Sequence, residues 1–258
     1  MKGEVGEGDL LVNIKNHSQR KQFYPEVEVW RAALHIARGL AALHRHAILH
    51  RDLKSANIFL AEGRYKLGDL NVSKVNDHQN RLVRTQTGTP FYASPEIWRD
   101  QPYGSPSDIW SLGCILYEMC CLRPPFQGKD LDQLYRSVQR GYTDPLPKMY
   151  SQQLNRLIQS CLQQNPRERP SAEELLTTGG LIMTNCQHHG IDTNKAQEEA
   201  LQQEQLLRTI KMPNDLKKLN SQLPSAKYHS EPEEVTVRPK TAQPKQKTQK
   251  AVTEEEKD

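Results

Sequence analysis

"ILHRDLKSANIFL", residues 48–60, places His50, Arg51 and Asp52 just ahead of Lys54 and Asn57, between two apolar stretches. The His-Arg-Asp triplet alone would suit any solvated loop. Upstream, residues 25–44 (PEVEVWRAALHIARGLAALH) set Trp30, Ala33, Leu34, Ala37, Leu40 and Ala41 on one face at helical period. A helix is therefore predicted there, with Pro25 fitting its first turn. Downstream, NIFLAEGRYKLGDL carries two short apolar runs around Glu62-Gly63, the signal of a hairpin. The quoted stretch is thus the loop between a helix and a hairpin, where side chains are presented from a rigid base.

Residues 70–105 show no sustained periodicity and end in a Pro/Ser/Gly-rich segment, so a long ordered or switchable loop is expected. Helices are predicted from Ser107 to about Leu122, capped by Ser107 or Asp108, and from Asp130 to about Arg140. Another spans Ser151 to Gln164, with Leu154, Leu157, Ile158, Cys161 and Leu162 on one stripe. A short helix begins at Ser171, where SAEE forms a capping box. Residues 185–223 are expected to be a partly helical tail segment. From Pro224 onward Pro, Lys, Gln, Thr and Glu dominate, and residues 224–258 are expected to be disordered.

The chain of 258 residues carries a formal net charge of +4, with both signs interspersed, which gives no argument for a nucleic-acid partner. The longest apolar run, DIWSLGCILYEMCCL, contains Asp108 and Glu118 and is shorter than a bilayer span, so it reads as a buried helix and no membrane partner is expected. The opening MKGEVGEGDL lacks the basic-then-apolar order of a signal peptide. Five cysteines, odd in number and without a CxxC pair, fit buried thiols in a reducing compartment; a cytoplasmic protein is expected. The histidines of HRHAILH have no carboxylate or thiol at ligand spacing and read as incidental rather than metal-binding.

Phosphoryl transfer needs an aligned acceptor hydroxyl and neutralised charge on the moving phosphate, and little covalent help. A carboxylate beside the hydroxyl, an ammonium on the phosphate and oxygen ligands for magnesium suffice. Asp52, Lys54 and Asn57 provide these groups within one loop, and Asp69 at the end of the hairpin adds a second hard oxygen ligand.

HRDLKSAN resembles the protein-kinase catalytic loop H-R-D-L-x-x-x-N, and the lysine two after the aspartate is the serine/threonine-kinase pattern. GTPFYASPE (88–96) resembles the end of an activation segment, SDIWSLGCILYEM the central helix of the large lobe and NPRERPSAEELL its closing helix. Within the superfamily, LGDLNVSKV and TQTGTPFYASPE resemble the NIMA-related kinases. The resemblance implies a protein-kinase-like α+β fold, here a mainly α-helical C-lobe with a short β-hairpin and without the N-lobe β-sheet. Residues 1–10 would be a hinge remnant and the start of the lobe, and 11–184 the C-lobe, with the catalytic loop at 48–57 and the activation segment at 69–96.

Carried over residue by residue, the resemblance implies that Asp52 orients or deprotonates the substrate hydroxyl and that Lys54 steadies the transferring phosphate. Asn57 and Asp69 would hold Mg2+, and Thr89 would bond to Asp52 and Lys54. Arg51 would pair with a phosphate on Thr85, or second on Thr87. Glu96 and Arg169 would form a buried ion pair and Asp108 would hold the catalytic-loop backbone, all three structurally. Backbone of Glu4 and Gly6 would face the adenine of ATP, Asp9 a ribose hydroxyl, and Phe59 would form the adenine floor. Protein substrates are implied, and cytoskeletal or ciliary association by resemblance only.

Two departures bear on activity. GDLN stands where the family often has Asp-Phe-Gly, with Leu70 and Asn71 replacing Phe and Gly. The family's Gly-rich loop, strand lysine and helical glutamate have no match, so the chain is expected to be N-terminally truncated and to begin at the hinge. Three readings stand open: an incomplete copy of a serine/threonine kinase, a pseudokinase-like C-lobe acting as a non-catalytic protein-binding module, and a tail-centred partner protein using residues 208–224. An apolar face including Phe59 and Leu70 would call for a covering partner.

Overall fold

The computed structural model describes residues 8–69 and 90–193. The chain divides into two units, 1–210 and 211–258, and every described residue belongs to the first.

β1 (Gly8–Asp9) leads into α1 (Leu10–Gln19), and α2 (Glu26–Arg45) follows. Asp9 caps α1, its Oδ1 accepting from Val12 N at 2.8 Å. In α2, Glu26 and Glu28 stand in the first turn and His44 and Arg45 in the last, complementing the helix dipole. The predicted single apolar face is too narrow: Val29, Ala32, Ile36, Ala42 and Leu43 are buried as well. The reason is position, because α2 packs at once against the strand Arg64–Leu67 and the helices Ser105–Cys121, Ala172–Leu176 and Leu181–His188. Pro25 sits at the N-cap rather than in the first turn.

A 3-10 turn (Ser55–Asn57) precedes β2 (Ile58–Ala61) and β3 (Arg64–Leu67). Glu62 and Gly63 both have positive φ, 53° and 72°, between the paired ends Ala61 and Arg64, as a two-residue hairpin turn demands. The expected hairpin is therefore present, and it gains a third strand. β1 pairs antiparallel with β2, Gly8 opposite Leu60 and Asp9 opposite Phe59, giving the order β1-β2-β3. The sheet lies close on α2: a Cβ at Gly39 would sit 2.5 Å from Leu67 Cδ1.

α3 (Pro95–Trp98) is a single turn inside the stretch read as loop. α4 (Ser105–Cys121) starts two residues before the predicted Ser107, with Gly104 at its cap and a proline in its first turn. Every residue from Ser107 to Cys120 is buried. α5 (Leu131–Arg140) is capped by Asp130, and α6 (Gln152–Cys161) by Ser151, ending before the predicted Gln164. A second 3-10 turn (Pro166–Glu168), α7 (Ala172–Leu176) and α8 (Leu181–His188) complete the lobe. The capping box at α7 is formed, with Ser171 Oγ accepting from Glu174 N at 3.1 Å and Ser171 N donating to Glu174 Oε2 at 2.7 Å. α1 and α3 lie outside the predicted helices, and α8 meets the expected partly helical segment only over residues 185–188. All five cysteines are free thiols, and Cys121 is only partly buried while the other four are enclosed.

Candidate active site

The loop of residues 48–57 leaves α2 through a turn in which Ala47 N and Ile48 N donate to His44 O and Leu43 O. It is anchored on α4. Asp108, fully buried, accepts from His50 N and Arg51 N, each at 3.1 Å. The same carboxylate accepts from His44 Nε2 at 2.8 Å and Tyr103 Oη at 2.6 Å. These bonds hold Arg51 at φ 68°, a left-handed conformation a bulky residue adopts only at a cost. Burial pushes the His50 imidazole below its ordinary pKa, and the charges of Asp108 and Asp52 offset only part of that.

Three functional groups then converge. Lys54 Nζ lies 2.9 Å from Asp52 Oδ2, and Asn57 Nδ2 donates to Asp52 O at 2.8 Å and to Asp52 Oδ2 at 3.3 Å. Asn57 N donates to Lys54 O at 2.9 Å, closing the turn that brings the amide under the carboxylate. Because both neighbours reach Oδ2, Asp52 Oδ1 has no hydrogen bond among the described residues. The Asn57 amide nitrogen is engaged, so its carbonyl oxygen is the atom left to accept a cation. Gly68 N donates to Asn57 O at 2.9 Å, which brings the end of β3 and the exposed Asp69 beside the loop. Asp69 has φ 53°, a conformation aspartate tolerates better than most side chains. An amide oxygen and a carboxylate are hard donors that fit Mg2+.

Two further arrangements tie distant segments to this loop. Arg169 reaches Glu96 through a fork, Nη1 to Oε1 at 2.7 Å and Nη2 to Oε2 at 2.8 Å, while its Nε donates to Gln163 O at 2.8 Å. Ser107 Oγ donates to Glu96 Oε1 at 2.8 Å, and the guanidinium lies 5.0 Å from the Trp110 ring. Burial pushes the Glu96 carboxyl up, but the hydrogen bonds and charge of Arg169 outweigh it and hold the group below its ordinary value. The second arrangement was not read from sequence: Ser55 Oγ lies 2.8 Å from Tyr92 Oη, which donates to Glu118 Oε2 at 2.6 Å. Tyr92 follows the GTPF motif and Glu118 lies in the apolar run, so the only signal available was two polar groups inside apolar surroundings.

Asp52, Lys54, Asn57 and Asp69 thus come together around one loop. Phe59 lies on β2 with 44% of its surface exposed, and Asp9, opposite it, has its Oδ1 on the cap of α1. Glu4, Gly6, Leu70, Asn71, Thr85, Thr87 and Thr89 lie outside the described residues, as do the tail segments. Among the described residues no helix is long and apolar enough to cross a membrane.

The protein kinase domain family matches residues 3–179. The mouse (Mus musculus) serine/threonine-protein kinase Nek3 is 42% identical over 175 residues, covering 67% of this chain and 34% of that protein. Human (Homo sapiens) serine/threonine-protein kinase Nek5 is 40% identical over 171 residues, covering 66% of this chain and 24% of its own length. Human serine/threonine-protein kinase Nek2 is 38% identical over 175 residues, with 66% and 39% covered. The chain therefore spans well under half the length of these relatives.

Proposed function

Since the chain belongs to the protein kinase domain family, as a NIMA-related serine/threonine member, we propose that it carries the catalytic loop for transfer of the ATP γ-phosphoryl group to protein serine or threonine hydroxyls. The observation that carries this reading is the convergence on Asp52. Lys54 and Asn57 both engage Oδ2, which fixes the carboxylate and leaves Oδ1 for the acceptor hydroxyl. Asp52 takes the hydroxyl proton as the new O–P bond forms; the bond to the β-phosphate oxygen breaks and ADP departs. Lys54, within reach of Asp52, supplies positive charge to the moving phosphoryl oxygens. Asn57 Oδ1 and Asp69 would hold Mg2+, which when bound neutralises charge on the phosphates.

The remaining assignments follow from the same family. Thr89 would bond to Asp52 and Lys54. Arg51 would receive a phosphate on Thr85 or, second, Thr87, so that loop phosphorylation raises activity. Glu4 and Gly6 backbone would meet adenine, Asp9 the ribose, and Phe59, open over 44% of its surface, would lie under the base. Glu96, Arg169 and Asp108 are structural in this reading.

Asp52→Asn is the test, made in the chain joined to a family small lobe so that the phosphates are covered. The exchange keeps the side chain's shape and removes the base, and phosphate transfer to a serine peptide is expected to fall at least about 100-fold with helical circular dichroism unchanged. Transfer at the parent rate would sink the assignment and leave the non-catalytic binding-module reading, for which the exposed Phe59 is the natural contact.

A further inference from the structure

Helix α4 holds the catalytic loop upstream of Asp52, through Asp108 and the amides of His50 and Arg51. It also reaches the loop downstream, by a route involving a third segment. Glu118, two to three turns further along α4 and only 4% exposed, accepts the hydroxyl proton of Tyr92 at 2.6 Å. Ser111 Oγ, on the same helix, stands 3.0 Å from Tyr92 O and 3.1 Å from Ser107 O and shares its one proton between them, so α4 meets Tyr92 at side chain and backbone. A tyrosine has a single hydroxyl proton. With that proton pointing at Glu118, Tyr92 Oη accepts from Ser55 Oγ across the 2.8 Å contact, and the Glu118 carboxylate is a second acceptor within reach of the same serine hydroxyl. Ser55 is fully buried and opens the 3-10 turn that carries Lys54 on one side and Asn57 on the other.

We propose that Ser55 is a positioning residue: through Tyr92 and Glu118 its hydroxyl fixes the downstream half of the catalytic loop to α4, setting where Lys54 and Asn57 meet Asp52. The tie and the Asp108 anchor bracket Asp52 on a common base. Losing the Ser55 hydroxyl removes the donor and leaves a buried tyrosine oxygen with one partner fewer, so the turn loses its lateral hold while its own closing bond, Asn57 N to Lys54 O at 2.9 Å, remains. The structural part of the proposal stands on geometry alone. Its catalytic part rests on the phosphotransfer reading.

Amide hydrogen exchange on the 258-residue chain tests the structural part. In Ser55→Ala the Asn57 and Gly68 amides are expected to exchange about tenfold faster, with the His50 and Arg51 amides unchanged. Ser55→Thr, which keeps the hydroxyl, should restore protection. Tyr92→Phe should loosen the same two amides, and the double variant should add nothing to either single one. Protection of Asn57 and Gly68 within about twofold of the parent, or an equal loss at His50 and Arg51, would overturn the proposal, the second because it marks a general loss of stability. The kinetic arm uses the lobe-joined protein: Ser55→Ala should lower kcat about tenfold with peptide KM within about twofold, and Ser55→Thr should recover it. Faster exchange with kcat unchanged would remove the catalytic role. Absence of transfer in the parent would defeat the phosphotransfer reading alone, and the exchange arm would still decide whether Ser55 holds the loop.

Discussion

His35, on α2, accepts from Tyr65 N through Nδ1 at 3.2 Å, and an imidazole that accepts there must be neutral. Burial, then the charges of Arg38, Arg31 and Arg64, push its pKa from 6.5 down to about 4. Between those two values the unfolded chain binds a proton that the folded chain refuses, so stability is full above pH 6.5 and falls as pH drops toward 4. The slope from this one group approaches about 1.4 kcal/mol per pH unit. His50, also held low by burial, adds to it in the same direction. Urea unfolding at a series of pH values should show this decline, and His35→Asn, which offers an amide oxygen in place of Nδ1, should flatten it. A decline of unchanged steepness in the variant would show that His35 is not the group responsible. At this scale the sequence was most informative where chemistry is contiguous: Asp52, Lys54 and Asn57 lie within one loop, and local geometry alone brings them together. Ser55, Tyr92 and Glu118 come from three segments, so their meeting could not be read along the chain.

Among the elements, α4 and α6 approach so closely that side-chain volume at the crossing decides stability. A Cβ at Gly113 would stand 2.7 Å from Cys161 Cβ and 3.0 Å from Leu162 Cδ2. Alanine improves helix propensity by about 1 kcal/mol over glycine, while overpacking a filled core costs about 1–3 kcal/mol. The contact is with a Cβ, the least adjustable side-chain atom, so the clash should win. Gly113→Ala is expected to destabilise the protein by up to about 2 kcal/mol in urea unfolding, against the propensity scale, and a stabilised variant would show that α6 moves aside freely. The same contrast explains which elements were legible. α2, α5, α6 and the capping box of α7 carry either a long apolar stripe or a side-chain cap. α1 buries only Leu10 and Ile14, and α8 only Ile182 and Cys186, too few to mark a period; α5 buries as few but has its Asp130 cap in a stretch open to a helix, whereas the Asp9 cap of α1 falls in residues that read as a hinge. Those helices form because neighbouring elements cover them. The start of α4 differs from the predicted one for a related reason: Ser107 looks like a cap, but its hydroxyl donates to Glu96 and the helix begins earlier, at Ser105.

Across the whole lobe, Arg169 and Glu96 join segments 73 residues apart, and the side chains are 0% and 5% exposed. The fork, the Gln163 and Pro106 carbonyls and the Trp110 face together satisfy a guanidinium that burial alone would exclude. Arg169→Ala would leave the Glu96 carboxylate buried with Ser107 as its remaining side-chain donor among the described residues, and a loss of about 3–5 kcal/mol is expected in denaturant unfolding. A loss under about 1 kcal/mol would mean that water or another cation replaces the arginine. What the sequence by itself determined was the family, the helix-hairpin frame and the acid, ammonium and amide of one loop, because helical period, turn residues and short motifs are encoded by near neighbours. What the tertiary structure alone decided was how that loop is held: Asp108 behind His50 and Arg51, Tyr92 and Glu118 behind Ser55, and the third strand laid on the hairpin. Those partners are brought together by burial of α2 and α4 in a shared core, and burial is a property of the packed chain as a whole.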